Sequence, residues 1–343
     1  MPRNLHLRGL SCLAFFCCSM GLAAHAQDQH NAWTVGVEND LLAGSQKDAD
    51  YTGGFSFTMT GSNASSATLS MDSVLGAIDS LWLPAGGRAP STKAGLHLGL
   101  QAWTPLDKQR STPILDDRPY ASLISLTSTR MIAGADNEPA WATSLTLGIL
   151  GAGFADGIHS GVHKLVGSGP GPKGYDHQIS QGGEPTVMYA LRRQSLLAQS
   201  NSGNTRYDIK WGVEGSLGYL TEAALSVSGR VGRVNSPWWS LQGERVEFYA
   251  PRVTDGELFL SYGLTARVRG YNALLEGQFR DSTVTVPRSN LEKLIGTVWL
   301  GVTWGISSSS TLSYQMRHQS AEIKSGPAAR SYSTGGLYFT SRY

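Results

Sequence analysis

The chain has 343 residues, 41 of them glycine, and only 16% are charged. Lys and Arg number 28 against 26 Asp and Glu; two of those cations, Arg3 and Arg8, lie at the extreme N-terminus, so the remainder balances to zero and a nucleic-acid partner is not expected. The three cysteines (Cys12, Cys17, Cys18) also fall in this N-terminal stretch, which leaves the rest with no disulfide, no thiolate nucleophile and no cysteine-held metal.

In chain order, Arg3 and Arg8 precede an apolar run from Leu10 to Leu22, followed by Ala24-His25-Ala26. This predicts a secretory signal peptide over residues 1–26 and a mature domain over 27–343. No later apolar run reaches the ~18 residues of a membrane-spanning helix. Beyond residue 26 the dominant period is two. Trp33, Val35 and Val37 alternate with Thr34, Gly36 and Glu38, and Phe55, Phe57 and Met59 alternate with small polar residues. The pattern returns over Ala94–Ala102, Tyr207–Glu214, Leu258–Val268 and Thr297–Ile306. Last comes Leu337, Phe339, Ser341 and Tyr343, the final residue. One face is apolar, while the other carries glycine and small polar side chains, as in strands that face lipid outward and a polar lumen inward. The expectation is an all-β fold: a transmembrane antiparallel barrel of about twelve strands, closed by the C-terminal strand against the one that begins near Trp33. A soluble sandwich also alternates, but would place larger charged residues on its wet face. The long polar stretches Leu41–Asp50, Ser62–Arg88 and Gly151–Gly183 are expected to be extracellular loops.

Three clusters could carry chemistry. Glu38-Asn39-Asp40, with Asp48 and Asp50 close behind, could offer oxygens to a hard cation such as calcium; a solvated loop with Asx turns is the plainer reading. Asp116-Asp117-Arg118-Pro119-Tyr120 places Arg118 before a proline that favours extended backbone, so Arg118 could pair with a carboxylate or meet a phosphate. In His159-Ser160-Gly161-Val162-His163-Lys164 the histidines would share one helical face. The zinc-protease pattern is missing its Glu, and no Gly-x-Ser-x-Gly elbow occurs. A lone histidine acting on a metal-bound water suffices for ester hydrolysis.

As an ordered set these segments resemble the outer-membrane lipid A 3′-O-deacylase (LpxR) family. The resemblance runs through Glu38-Asn39-Asp40, Asp50–Gly54, Gly99–Pro105, Asp116–Tyr120, Leu147–Gly151, Val162-His163-Lys164, Gly174–Gln178 with Glu184-Pro185, and Tyr271–Gly277. It implies a twelve-stranded outer-membrane barrel that removes the 3′-acyloxyacyl group of lipid A with calcium as cofactor. It further implies His163 as general base, Asn39 as a catalytic partner and Asp40 as a calcium ligand. Lys164, Arg118 and Thr52 become candidate substrate contacts. Two departures are His159, where some relatives have glutamine, and Gly182-Gly183 before Glu184. The implied partners are lipopolysaccharide, the bacterial outer membrane and, during insertion, the barrel-assembly machinery. The rival readings are a non-enzymatic channel or structural barrel, and a serine-dependent phospholipase barrel using Ser160.

Overall fold

Each alternating stretch folds as a strand, and antiparallel pairing carries the alternation around the molecule. The structure is a computed structural model and describes residues 31–45, 49–83, 91–133, 138–153, 157, 161, 171–240 and 256–343. The predicted signal peptide, 1–26, lies outside the described residues. The strands are β1 (Ala32–Asn39), β2 (Asp50–Thr60), β3 (Ser91–Thr104), β4 (Ala121–Ala133), β5 (Ala140–Leu150), β6 (Glu184–Ser202), β7 (Thr205–Gly218), β8 (Leu220–Arg233), β9 (Leu258–Asn272), β10 (Leu294–Gly305), β11 (Ser310–Gln319) and β12 (Tyr332–Arg342). Neighbours in sequence pair in order, and β12 pairs with β1 to close a barrel. The expected closure near Trp33 is found: Trp33 stands opposite Ser341, and Val37 opposite Leu337. Closure removes the unpaired edges that a membrane could not satisfy.

Register tells outside from inside. Val37 pairs with Phe55, Phe55 with Leu100, Leu98 with Leu126, and Leu126 with Leu147. Paired residues share a face, and Phe55, Leu98, Leu147, Val187, Leu260 and Leu300 are exposed. This is the apolar band that meets lipid. The opposite face satisfies its polar groups across the lumen wall: Thr34 with Thr340 (2.9 Å), Thr127 with Thr146 (2.8 Å) and Thr303 with Ser313 (3.1 Å). Buried charges are paired, Arg230 with Asp208 (2.6 Å) and Arg192 with Glu214 (2.7 Å), as a water-poor interior requires.

An even strand number returns both ends of the barrel to one side, the side from which an exported chain inserts; we take that end as periplasmic. There residues 234–240, just after β8, fold into the lumen. Trp238 and Trp239 pack on Met131, Ala133 and Ala140. Lys210 donates to the Trp238 carbonyl (2.7 Å) and Arg230 to that of Pro237 (2.9 Å).

The stretch Ser62–Arg88 corrects an expectation. Its described part, residues 62–83, follows β2, so it leaves the wall at the periplasmic end and is not an extracellular loop. Two short helices form in it, α1 (Ser62–Ser66) and α2 (Asp72–Asp79). They lie on the outer face of the wall. Met71 N–H donates to Ser128 Oγ (2.8 Å), Arg130 faces Asp72 (3.4 Å) and Asp79 (3.6 Å), and Thr143 and Tyr189 donate to Asp79 (2.8 and 3.0 Å). Ser128, Arg130, Thr143 and Tyr189 all point outward by register. Polar groups so placed need partners that lipid cannot supply, and the helices supply them.

The candidate active site

Two residues past Val37 on β1, on the same lipid-facing side, stands Asn39 at the loop end of the wall. Its position depends on a bulge. The β2–β3 register slips between Tyr51 and Gly53, so Thr52 is left out of the ladder. The Asn39 amide donates to the Thr52 carbonyl, and its oxygen accepts from Leu41 N–H (2.7 Å). Thr52 turns its hydroxyl onto Thr104 (2.6 Å), both side chains being buried. Gly53 leaves room for this arrangement: a Cβ there would sit 3.0 Å from the Glu38 carbonyl and 3.2 Å from the Asn39 amide nitrogen.

Asp40 begins a 3-10 turn over Leu41–Ala43, which it ties with its carbonyl to Ala43 and Ser45 N–H (3.0 and 3.2 Å). The residue is 2% exposed. One carboxylate oxygen accepts from Ala49 N–H (2.8 Å), and the other, Oδ1, is buried without a hydrogen-bond partner. Burial raises the carboxyl to about 6, against the lowering pull of backbone N–H groups and of Lys108. Burial lowers the Lys108 amine in turn, while Asp40 opposes the change. A hard oxygen, buried and unsatisfied, fits one ligand position of a hard cation, which would also favour its charged form. Among the described residues no cluster of three or more His, Cys, Asp or Glu side chains is disposed to hold a metal, so carbonyl or water oxygens would have to complete a shell.

Asn39, Asp40 and Thr52 are thus brought together, with Thr104 and Lys108 beside them. Arg118 is not among them. It is buried where the barrel interior opens at the loop end, donating to Glu322 (2.9 Å) and lying 3.6 Å from Asp50, with the Tyr332 ring beneath it (5.8 Å). Those carboxylates already answer its charge, so the phosphate contact weighed for Arg118 does not fit this placement, whereas the carboxylate alternative does. Arg330 bridges Asp50 and Asp117 (2.8 Å each), clasping three segments of the mouth together. His163 and Lys164, like His159 and Ser160, lie outside the described residues. Behind the wall, Glu38 accepts from Tyr51 (2.5 Å), Arg317 (2.7 Å) and Tyr338, which anchors the strand that presents Asn39. Thr104 falls within the Gly99–Pro105 segment of the resemblance but carries no role there, and nothing in the sequence singles out Lys108; the bulge that exposes the Thr52 carbonyl has only Gly53-Gly54 as a sign.

A closed barrel with a lipid-facing apolar band defines an outer-membrane β-barrel, with the candidate cluster at its loop end. The family described as "Outer membrane protein LpxR" matches residues 10–343, and the chain belongs to that family. A solved structure titled "LpxR from Salmonella typhimurium" superposes with a TM-score of 0.71 at 14% identity, covering 91% of this chain and all of that one. The β domain of the Bordetella autotransporter BrkA gives a TM-score of 0.40 at 10% identity, covering 92% of this chain and all of that one. No curated protein matches the chain.

Proposed function

We propose that the chain is a calcium-dependent lipid A 3′-O-deacylase, hydrolysing the ester of the 3′-acyloxyacyl group in the outer leaflet. The observation that carries this is the placement of Asn39 on the membrane side of the wall, at the loop end, with the unsatisfied Asp40 Oδ1 on the next residue. A lipid can reach that side laterally, whereas a solute in the lumen cannot.

Asp40 would hold the calcium ion, which supplies Lewis-acid polarisation of an ester carbonyl or of water. His163 removes a proton from the attacking water at an imidazole nitrogen, as a general base with ordinary pKa near ~6.5 can do. Asn39 uses one amide hydrogen on the Thr52 carbonyl, which fixes the group's orientation; the second hydrogen is left to support the developing oxyanion. Thr52, through its carbonyl and its bond to Thr104, positions Asn39 more than it meets substrate. Lys164 is assigned to a lipid A phosphate, and Arg118 to the frame of the mouth.

The channel reading fares worse, because Trp238 and Trp239 pack into the periplasmic end of the lumen. Release of the 3′ acyl group from purified lipid A, measured with and without a calcium chelator, tests the proposal. Undiminished release under chelation removes the metal, and no release by folded protein in calcium removes the activity.

A further inference from the structure

Arg193 pairs with Trp141 in the β5–β6 register, on the side that carries the exposed Leu147 and Val187. It therefore faces lipid. Its guanidinium carbon lies 5.7 Å from the ring centres of both Trp141 and Trp211. Trp82, just past α2, meets Trp141 edge-on at 6.5 Å and extends the row. Among the described residues Arg193 forms no hydrogen bond or ion pair. Its neighbours differ: Arg192, facing the lumen, has Glu214 at 2.7 Å, and outward-facing Arg130 has Asp72 and Asp79.

The depth of this row is fixed by its surroundings. Trp141 is the second residue of β5 at its periplasmic end, and Trp33 and Trp304 stand at the periplasmic ends of β1 and β10. Such aromatic girdles mark the boundary between hydrocarbon and headgroups. Leu81, beside Trp82, is 82% exposed and continues the apolar band over the helical segment. A cation held at that boundary, with five N–H donors in a fixed fork, meets one abundant anion, the headgroup phosphate.

We infer that Arg193, clamped between Trp141 and Trp211 and beside Trp82, binds the phosphate of a glycerophospholipid in the periplasmic leaflet. This site lies at the other end of the barrel, and in the other leaflet, from the proposed active site and does not depend on it. The two rings keep the guanidinium flat and supply cation–π contact, while its N–H edge stays open to the phosphate oxygens. Acyl chains would run along the outer wall beside Val213 and Leu217, which are exposed on the same outward face.

Native mass spectrometry of the full chain released from detergent, titrated with phosphatidylglycerol, tests this. Wild type should retain one phospholipid. Arg193→Gln should bind about tenfold more weakly or worse, the order expected when a charge-assisted hydrogen bond is lost. Trp211→Leu, which keeps the charge and removes one ring, should show a smaller loss, and it carries the test if Arg193→Gln fails the heat-modifiable migration of a folded barrel. Inorganic phosphate at matched concentration should not displace the lipid, and diacylglycerol should not replace it. Equal retention by wild type and both variants overturns the site. Displacement by phosphate alone makes it a free-anion site, and equal binding of diacylglycerol makes it unspecific apolar contact; either result also overturns the inference.

Discussion

Asp40 combines three properties that rarely coincide: burial, one satisfied oxygen and one unsatisfied oxygen. Asp40→Ala is expected to abolish deacylation yet leave the barrel's heat-modifiable migration intact, because the change removes a ligand and not a strand contact. Gly53 offers a finer probe. A valine there would press on the Asn39 amide, so Gly53→Val should lower turnover at unchanged folding; full activity would show that the Asn39 geometry is not used. His163→Ala should lose at least ~10²-fold in rate, the usual contribution of positioned proton transfer, and His159→Ala much less. Equal losses would point to a two-histidine metal site. Asn39 and Asp40 could be picked out in the sequence because an amide and a carboxylate sit together at a strand end. That Asn39 lies outside the wall could not, since only the register of Val37 with Leu337 and Phe55 assigns the side. Lys108 gave no sign, being one lysine in a polar loop until the fold set it near Asp40.

At the scale of the element, the strands that were easiest to see are those with lipid on one face and small polar groups on the other. β1, β2, β3, β7, β9, β10 and β12 have this form, and their period of two survives in the sequence. β4 and β5 do not. Their outward faces carry Ser128, Arg130 and Thr143 under α2, while Leu123, Met131 and Leu150 point inward to buried clusters. Lipid-facing polarity and lumen-facing apolarity together erase the alternation. The same misfit explains why Ser62–Arg88 was expected at the wrong end: nothing local says that a polar stretch serves as a cover. Removing residues 62–83 should expose Arg130 to lipid, at a cost of up to ~2–4 kcal/mol that falls toward the interface. An Arg130→Leu change in the shortened chain should recover part of the loss, read as the urea midpoint in detergent. No recovery would mean that α2 contributes otherwise. Truncating Leu337–Tyr343 removes the partners of Ala32–Val37 and should abolish outer-membrane assembly.

The whole molecule is a closed wall with Trp238 and Trp239 packed inside its periplasmic end and ion pairs clasping its mouth. Glu322 is central to that clasp. Burial alone would raise its carboxyl, but Arg118 and Arg269 outweigh burial and hold it at about 2, below the ordinary 4.5. The folded form thus binds the proton less readily than the unfolded one, so the stabilisation is complete above pH 4.5 and is lost as pH falls toward 2. Glu322→Gln should flatten that acid dependence and cost ~3–5 kcal/mol, because Arg118 is left without its closest carboxylate; an unchanged acid limb would assign the clasp elsewhere. The central claim is that a membrane-side site built on Asp40 removes an acyl chain from lipid A with calcium. The most direct measurement is 3′-acyl release from lipid A by wild type and Asp40→Ala, in matched detergent, with calcium or with chelator. Release by wild type in calcium alone, and none by Asp40→Ala in either condition, is the predicted result. Release that persists under chelation, or in folded Asp40→Ala, would contradict it.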